Sequence, residues 1–251
     1  MNYNGLEIIY HITINYTMRI LVFDTETSGL PPKEFFNKVS LTSVNMWPHI
    51  VQFSYVIYDT DTNIIDNVTD QIINIPNHVN LDGESETIHG ITNLVCQTRG
   101  VPIVNVLAKF TQDCEGVDMI IGHNIEFDIN MLKAEWYRLI SNKMVGHIHT
   151  NGYAAFGRIM QQMKICCTLK ENVKRCNVQA VSAKTGRSYV KWPTLDELHQ
   201  HLFQTSAQNL HNSLVDVMVC LRCFYMTQYS VDLLETCDDM KRIMCNLPKS
   251  P

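Results

Sequence analysis

The sequence predicts an α/β fold, a mixed sheet with helices on its faces. Three observations lead there. A continuous apolar run, Arg19 to Asp24, opens the ordered pattern; two β-rich runs follow it; and helical and strand patterns then alternate through the rest of the 251 residues. Hydrophobic residues make up 45% and charged residues 18%, enough apolar matter for a real core and too much for a disordered chain. One large domain with insertions fits this length better than two.

Taken in order, Tyr10, Ile12, Ile14 and Tyr16 alternate with His11, Thr13 and Asn15, a period of two that reads either as an extra edge strand or as a leader. Residues 1–17 are therefore set apart as an N-terminal extension. Arg19 to Asp24 reads as a central strand buried on both faces and ending in an acid. Ile50 to Asp59 and Ile64 to Ile75, joined by Thr60-Asp61-Thr62-Asn63, read as an antiparallel hairpin. Val101 to Cys114 has helical spacing, Met119 to Ile121 is a short strand, and a helix runs from about Asn124 to Ile140. A strand near Lys164 to Thr168, a short helix from Thr194 to Leu202, and two helices, Ser213 to Tyr229 and Val231 to Met244, complete the series. The main domain is expected over residues 18–230, and residues 231–251 form a C-terminal helix and tail. Leu233, Leu234 and Met240 on that helix either cover its own core or dock a partner.

Two stretches look like insertions. Pro31 to Pro48 is a long connection of the kind that tends to carry function. Lys170 to Lys191 holds Lys170, Lys174, Arg175, Lys184, Arg187 and Lys191 against Glu171 alone, a local balance of +5 in a chain of net charge −5. Such a segment is expected either to grip a phosphate backbone or to be a solvated loop. Trp47 and Trp192, each beside a proline, are candidates for base stacking or for loop anchors. Nine scattered cysteines read as reduced thiols, and the Cys220/Cys223 pair lacks the matching second pair of a structural zinc site. The apolar stretch from Ile8 to Phe23 is interrupted by His11, Thr13, Asn15 and Arg19, and no apolar run approaches the roughly 18 residues of a membrane span. A cytoplasmic protein without membrane contact is the expectation.

Three short segments carry residues suited to chemistry. Asp24 and Glu26 lie two apart at a strand end, so both carboxylates point to one face, at the edge where open α/β sheets place their ligands. Gly122-His123-Asn124-Ile125-Glu126-Phe127-Asp128 follows the second buried strand, with Asn124 as a helix cap and Asp128 one turn in. His211-Asn212-Ser213-Leu214-Val215-Asp216 opens another helix, leaving His211 in the preceding loop as a proton acceptor and Asp216 in the first turn as a fixed ligand. Two carboxylates 4 Å apart repel by about 4 kcal/mol at an effective dielectric of 20, so four such acids can converge only around cations. Oxygen ligands at that density suit Mg²⁺ or Mn²⁺, and two ions would serve phosphodiester cleavage.

Asp24-Thr25-Glu26-Thr27-Ser28-Gly29-Leu30, His123-Asn124 through Phe127-Asp128, and His211 through Asp216 resemble, in order, the three motifs of the DEDDh superfamily of 3′→5′ exonucleases. That family includes polymerase proofreading subunits and ribonuclease T. Ile88-His89-Gly90-Ile91-Thr92 adds a further match, and the likeness covers about Met18 to Met226. The resemblance implies a ribonuclease-H-like fold with a five-stranded mixed sheet flanked by helices. It implies that Asp24, Glu26, Asp128 and Asp216 hold two divalent metals, with His211 as general base. It further implies that Leu30, Ile91 and Phe127 pack against the terminal base, with ordinary core packing as the alternative for these three, that Thr25 and Thr27 contact the terminal nucleotide, and that Asn124 belongs to the substrate-binding set. The activity implied is metal-dependent removal of nucleoside 5′-monophosphates from single-stranded or frayed DNA 3′ ends, with a polymerase or replication protein as candidate partner. An RNA-trimming exoribonuclease and an inactive nucleic-acid-binding or polymerase-docking module stand as alternatives.

Overall fold

The computed structural model describes residues 17–36, 39–142 and 146–247. The alternating stretch from Tyr10 to Tyr16 lies outside them. The first half runs β1 (Arg19–Thr27), β2 (Ile50–Asp59), β3 (Ile64–Asn74), α1 (Gly83–His89), α2 (Asn93–Arg99), β4 (Val101–Pro102), α3 (Ile103–Asp113) and β5 (Met119–Gly122). Next come α4 (Ile125–Ser141), α5 (Gly146–Gln162), β6 (Lys164–Cys167), α6 (Thr168–Glu171), α7 (Val173–Cys176), β7 (Gln179–Val181) and β8 (Ser188–Val190). The chain closes with α8 (Leu195–Phe203), α9 (Ser213–Tyr229), α10 (Leu233–Thr236) and α11 (Asp238–Asn246).

The strands of the main sheet lie in the order β4-β3-β2-β1-β5-β6. β1, β2 and β3 form an antiparallel meander, while β5 pairs parallel with β1 and β6 parallel with β5. The expected hairpin is present, and Asp59 fixes its turn by accepting the N–H groups of Asp61 and Thr62. A sixth strand joins the expected five. Val101 and Pro102, which the pattern assigns to the start of a helix, pair with Ile73 and Asn74 at the sheet edge, where a proline without an N–H is tolerated.

β1 is central, so both of its faces are covered, and Ile20, Leu21, Val22 and Phe23 are buried. Ile20 and Val22 pack with Val56 of β2 and with Met218 and Leu221 of α9. Leu21 and Phe23 point the other way, into a cluster with Leu107 and Phe110 of α3 and Leu132 of α4. This alternation decides where every later residue of the strand faces.

Among the helical elements that escape the sequence pattern are α1, α2 and α5. α1 and α2 are two turns each, too short for periodicity to register, and are held by caps instead: Asp82 accepts from the Ser85 N–H and Thr92 from that of Val95. α5 is long, yet it contains Gly146, Gly152 and Gly157, each roughly 1 kcal/mol poorer than alanine in a helix. Gly152 is there for packing: a β-carbon at that position would stand 2.6 Å from the Trp136 ring of α4. The single helix expected over Val231 to Met244 is two, α10 and α11, because Cys237 is extended between them. Leu233, Cys237 and Met240 are buried against α9, so this region covers its own core.

The connection at residues 31–48 is anchored. Val44 and Trp47 are buried in the cluster under α4, which makes Trp47 a loop anchor and removes it from the candidates for base stacking. Arg138 of α4 donates to the carbonyls of Val44, Trp47 and Pro48, and its neighbour Glu135 accepts the Ile50 N–H. Among the described residues no helix is long and apolar enough to cross a membrane.

Candidate active site

The alternation of β1 carries Asp24 and Glu26 onto the face beyond Ile20 and Val22, which is the face α9 covers. Asn212 caps α9 and puts Asp216 in its first turn, as the sequence predicts. Ser213 then fastens the helix start to the sheet: its hydroxyl donates to the Asp24 carbonyl at 2.7 Å and its N–H to Gln52 Oε1 at 3.2 Å. As a result one carboxylate oxygen from each of Asp24, Glu26 and Asp216 lies within 4.8 Å of the others. Charges at that separation repel by about 3 kcal/mol per pair at an effective dielectric of 20.

The acids respond by holding protons. Burial pushes the Asp24 carboxyl up to about 7. Burial and the Asp24 charge push Glu26 up to about 8. Asp216 is driven well above the carboxylate range by burial first, then by Asp24 and Glu26. A divalent cation would reverse all three shifts at once, releasing protons as it binds. The donor set, three clustered carboxylates without a nitrogen or sulfur ligand, fits Mg²⁺ or Mn²⁺.

Asp128 comes from the other side. It lies on α4, which covers the odd-numbered face of β1, and its Oδ1 accepts the Thr25 N–H at 3.1 Å and the Thr25 hydroxyl at 2.7 Å. The expected quartet is therefore a trio in mutual reach plus a fourth acid across the strand. It still feels the others: burial raises the Asp128 carboxyl, and the charges of Asp24 and Glu26 raise it further. His211 is exposed at the rim with φ +69°, and its main-chain N–H donates to Asp216 Oδ2 at 3.0 Å.

A pocket of about 380 Å³ opens beside Glu26, lined by Thr25, Thr27, Leu30 and Phe127, with Asp82, Ile88 and His89 opposite. Leu30 is 70% exposed and Phe127 is backed by Phe36 and Trp47, ring centroids 6.1 and 6.4 Å away. The Thr25 and Thr27 hydroxyls are committed internally as donors, to Asp128 and to the Gly29 carbonyl.

Two of the expected residues lie apart from this pocket. Ile91 is 7% exposed and packs with Val51, Ile75 and Cys96, so it belongs to the core. Gly90 ends α1 in the left-handed region (φ +70°) and turns the chain inward, leaving Ile88, 48% exposed, to line the pocket. Asn124 occupies the cap position of α4 but is itself left-handed (φ +66°) and makes no capping bond, and it does not line the pocket. His89 donates from Nε2 to the Thr27 carbonyl at 3.2 Å and accepts the Ile91 N–H at Nδ1, 3.1 Å. It ties the end of α1 to the end of β1. Ser213 and Gln52 were silent, since nothing in a sequence marks a hydroxyl that bridges two elements.

A ribonuclease-H-like sheet with clustered acids at the carboxyl end of its central strand defines a nuclease-type domain. A family model described as RNase_T, exonuclease, matches residues 21–224, and the chain belongs to this family of DEDDh-type 3′→5′ exonucleases. Among solved structures it is similar to E. coli exonuclease I in complex with a dT13 oligonucleotide: 15% identity and a TM-score of 0.58, covering 85% of this chain and 42% of that one. It is also similar to a moderately thermophilic exonuclease I from Methylocaldum szegediense, at 16% identity and a TM-score of 0.52, covering 91% and 43%. At these identities the likeness speaks for the fold. The chain spans about two fifths of the length of those structures. No curated protein matches.

Proposed function

We propose that this chain is a metal-dependent exonuclease that hydrolyses the last phosphodiester bond at the 3′ end of single-stranded or frayed DNA, releasing nucleoside 5′-monophosphates. The observation that carries this reading is the trio Asp24, Glu26 and Asp216, with oxygens within 4.8 Å, next to a pocket that opens at Glu26. The pocket offers an apolar slot, Leu30, Ile88 and Phe127, for a terminal base, which holds the 3′ nucleotide with its phosphate beside the acids.

Asp24, Glu26 and Asp216 would hold two divalent cations, with Asp128 contributing from the opposite face; when bound, such ions acidify water and offset charge on the leaving oxygen. His211 takes the proton of the attacking water at its ring, held at the rim by its own N–H bond to Asp216. The water oxygen bonds to phosphorus as the bond to the upstream 3′ oxygen breaks; the phosphate stays on the released nucleotide, and the 3′ oxygen takes a proton from solvent. His89 keeps the Thr27 carbonyl, and with it the strand end, in place. Free thiols throughout the described chain suit a reducing, cytoplasmic compartment.

The test is incubation of 3′- and 5′-labelled DNA and RNA strands with and without Mn²⁺, beside Asp216→Asn. Release of 5′-monophosphates from DNA 3′ ends, dependent on the ion and lost in the variant, is the expected result. A rate on RNA exceeding that on DNA would shift the reading to RNA trimming, and absence of both cleavage and cation binding by titration calorimetry would leave a binding module.

A further inference from the structure

The excursion from α6 to α8 leaves the sheet and returns to it under the control of one side chain. His123, the residue after β5, is bonded through Nδ1 to the Thr168 hydroxyl at 3.0 Å, and its Nε2 donates to the Pro193 carbonyl at 3.1 Å. Both feet of the excursion are thus clasped between β5 and α4, the helix that carries Asp128. Since Gly122 pairs with Cys167 at the ends of β5 and β6, these feet lie on the carboxyl edge of the parallel strands, the edge on which the acids gather.

Between the feet stands the β7–β8 hairpin. Its register, Gln179 with Val190, Ala180 with Tyr189 and Val181 with Ser188, places Arg187, Tyr189 and Lys191 on one face by alternation. Tyr189 is 51% exposed and Trp192, just beyond the hairpin, 58%. Such rings ordinarily find cover in a fold; here both stay in water. The charge is equally one-sided. No acid occurs from Asn172 to Pro193, while the chain as a whole is at −5. Lys170 and Lys191 are paired with Glu126 and Glu197, but Lys184 and Arg187 are in no ion pair among the described residues.

We propose that the β7–β8 hairpin with Trp192 is the platform for the upstream nucleotides of a single strand whose 3′ end occupies the acid site, an inference that rests on the exonuclease reading. Tyr189 and Trp192 stack on bases, and Lys184 and Arg187 hold phosphates. The occupant is a polyanion with aromatic faces because the hairpin segment offers two unpaired cations, Lys184 and Arg187, beside exposed rings and carries no carboxylate of its own. Stacking on a ring accepts any base, so the grip does not choose sequence, as suits a strand that shortens one nucleotide at a time.

The experiment separates this proposal from the catalytic reading. Affinity for 5′-fluorescein-dT20 is measured by anisotropy in EDTA over a salt series, for the wild type and for K184Q/R187Q/Y189A/W192A. All four positions are exposed, and an unchanged melting temperature verifies the fold. Affinity is expected to fall by about tenfold for each stacking ring lost, and the logarithmic salt slope to become shallower by about 1.4 for the two charges. The pair Y189F/W192F keeps the rings and is expected to bind like the wild type. Hydrolysis of the p-nitrophenyl ester of thymidine 5′-monophosphate, which has no upstream nucleotide, is expected to be untouched by all variants. Unchanged affinity and slope in the quadruple variant, no binding by the wild type, or equal loss on the ester would overturn the proposal. If binding falls as expected while the wild type cleaves neither substrate with Mn²⁺, the catalytic reading fails and the platform stands.

Discussion

The acid cluster and the β7–β8 hairpin share an edge of the sheet and are built in opposite ways. Asp24, Glu26 and Asp216 are half-buried, held by a central strand and a helix start, and burial first, then for Glu26 and Asp216 the neighbouring charges, raises their carboxyls toward or above neutral pH. Lys184 and Arg187 stand exposed in the turn of a two-stranded ribbon, in no ion pair among the described residues. Fixed carboxylates at one point need a rigid surround, because every relaxation available to them would separate them. A grip on a flexible strand needs only reach, so its charges can be exposed at little cost in stability.

The largest expected effect falls on the rigid half. Asp216→Asn should lower the rate of mononucleotide release by roughly three orders of magnitude, about 4 kcal/mol of transition-state stabilisation; retention of more than a tenth of the activity would remove Asp216 from the chemistry. His211→Ala should cost about a hundredfold in rate, the scale of a general base, with cation affinity by calorimetry unchanged; a parallel loss of both would make it a structural support of Asp216.

Next comes a gain. The Asp24 carboxyl titrates near 3.8 ordinarily and at about 7 in the fold. The folded state therefore binds the extra proton between those values, and the stability of the cation-free protein falls as pH rises through that window. Asp24→Asn removes this penalty. In EDTA at pH 8 the variant should melt several degrees above the wild type, on the order of 2 kcal/mol after allowance for partial exposure. The two should converge near pH 4. Equal melting at pH 8 would mean that Asp24 is not held buried against its charge.

An effect of similar size, confined to acid pH, concerns the link between the two regions. Burial holds the His123 ring down to about 4 from 6.5. The unfolded chain takes up the proton first, so the contribution of this ring is complete above about pH 6.5 and is lost as pH falls toward 4, on the order of 2 kcal/mol. His123→Ala should flatten that acid limb of the stability curve and open residues 177–191 to proteolysis, leaving β1 to β5 protected. Unaltered cleavage of the hairpin in the variant would show that its feet are held by other contacts.

Much of this was legible beforehand, for identifiable reasons. β1 and β2 announce themselves because strands buried on both faces are mostly apolar, and α9 because Asn212 caps a long apolar helix. α5 was hidden by its glycines, and α1 and α2 by their brevity. Among site residues, spacing put Asp24, Glu26 and Asp216 at the ends of elements, and the family resemblance, not the spacing, implied that they act together. Ile88 and Ile91 were not separable, since both are isoleucines near one glycine and only the left-handed turn at Gly90 sends one inward.

The sequence by itself determined which atoms are available: acids at the ends of elements, a histidine before a helix cap, a basic stretch in an acidic chain. Local patterns suffice for these because period, cap and charge are properties of neighbouring residues. Tertiary structure alone decided that three acids meet on one face of β1 while Asp128 reaches from the other, and that a histidine after β5 clasps both ends of the basic stretch. Those outcomes depend on pairings across 45 to 192 residues of chain, and distance along the backbone carries no information about which face of a sheet a distant helix will cover.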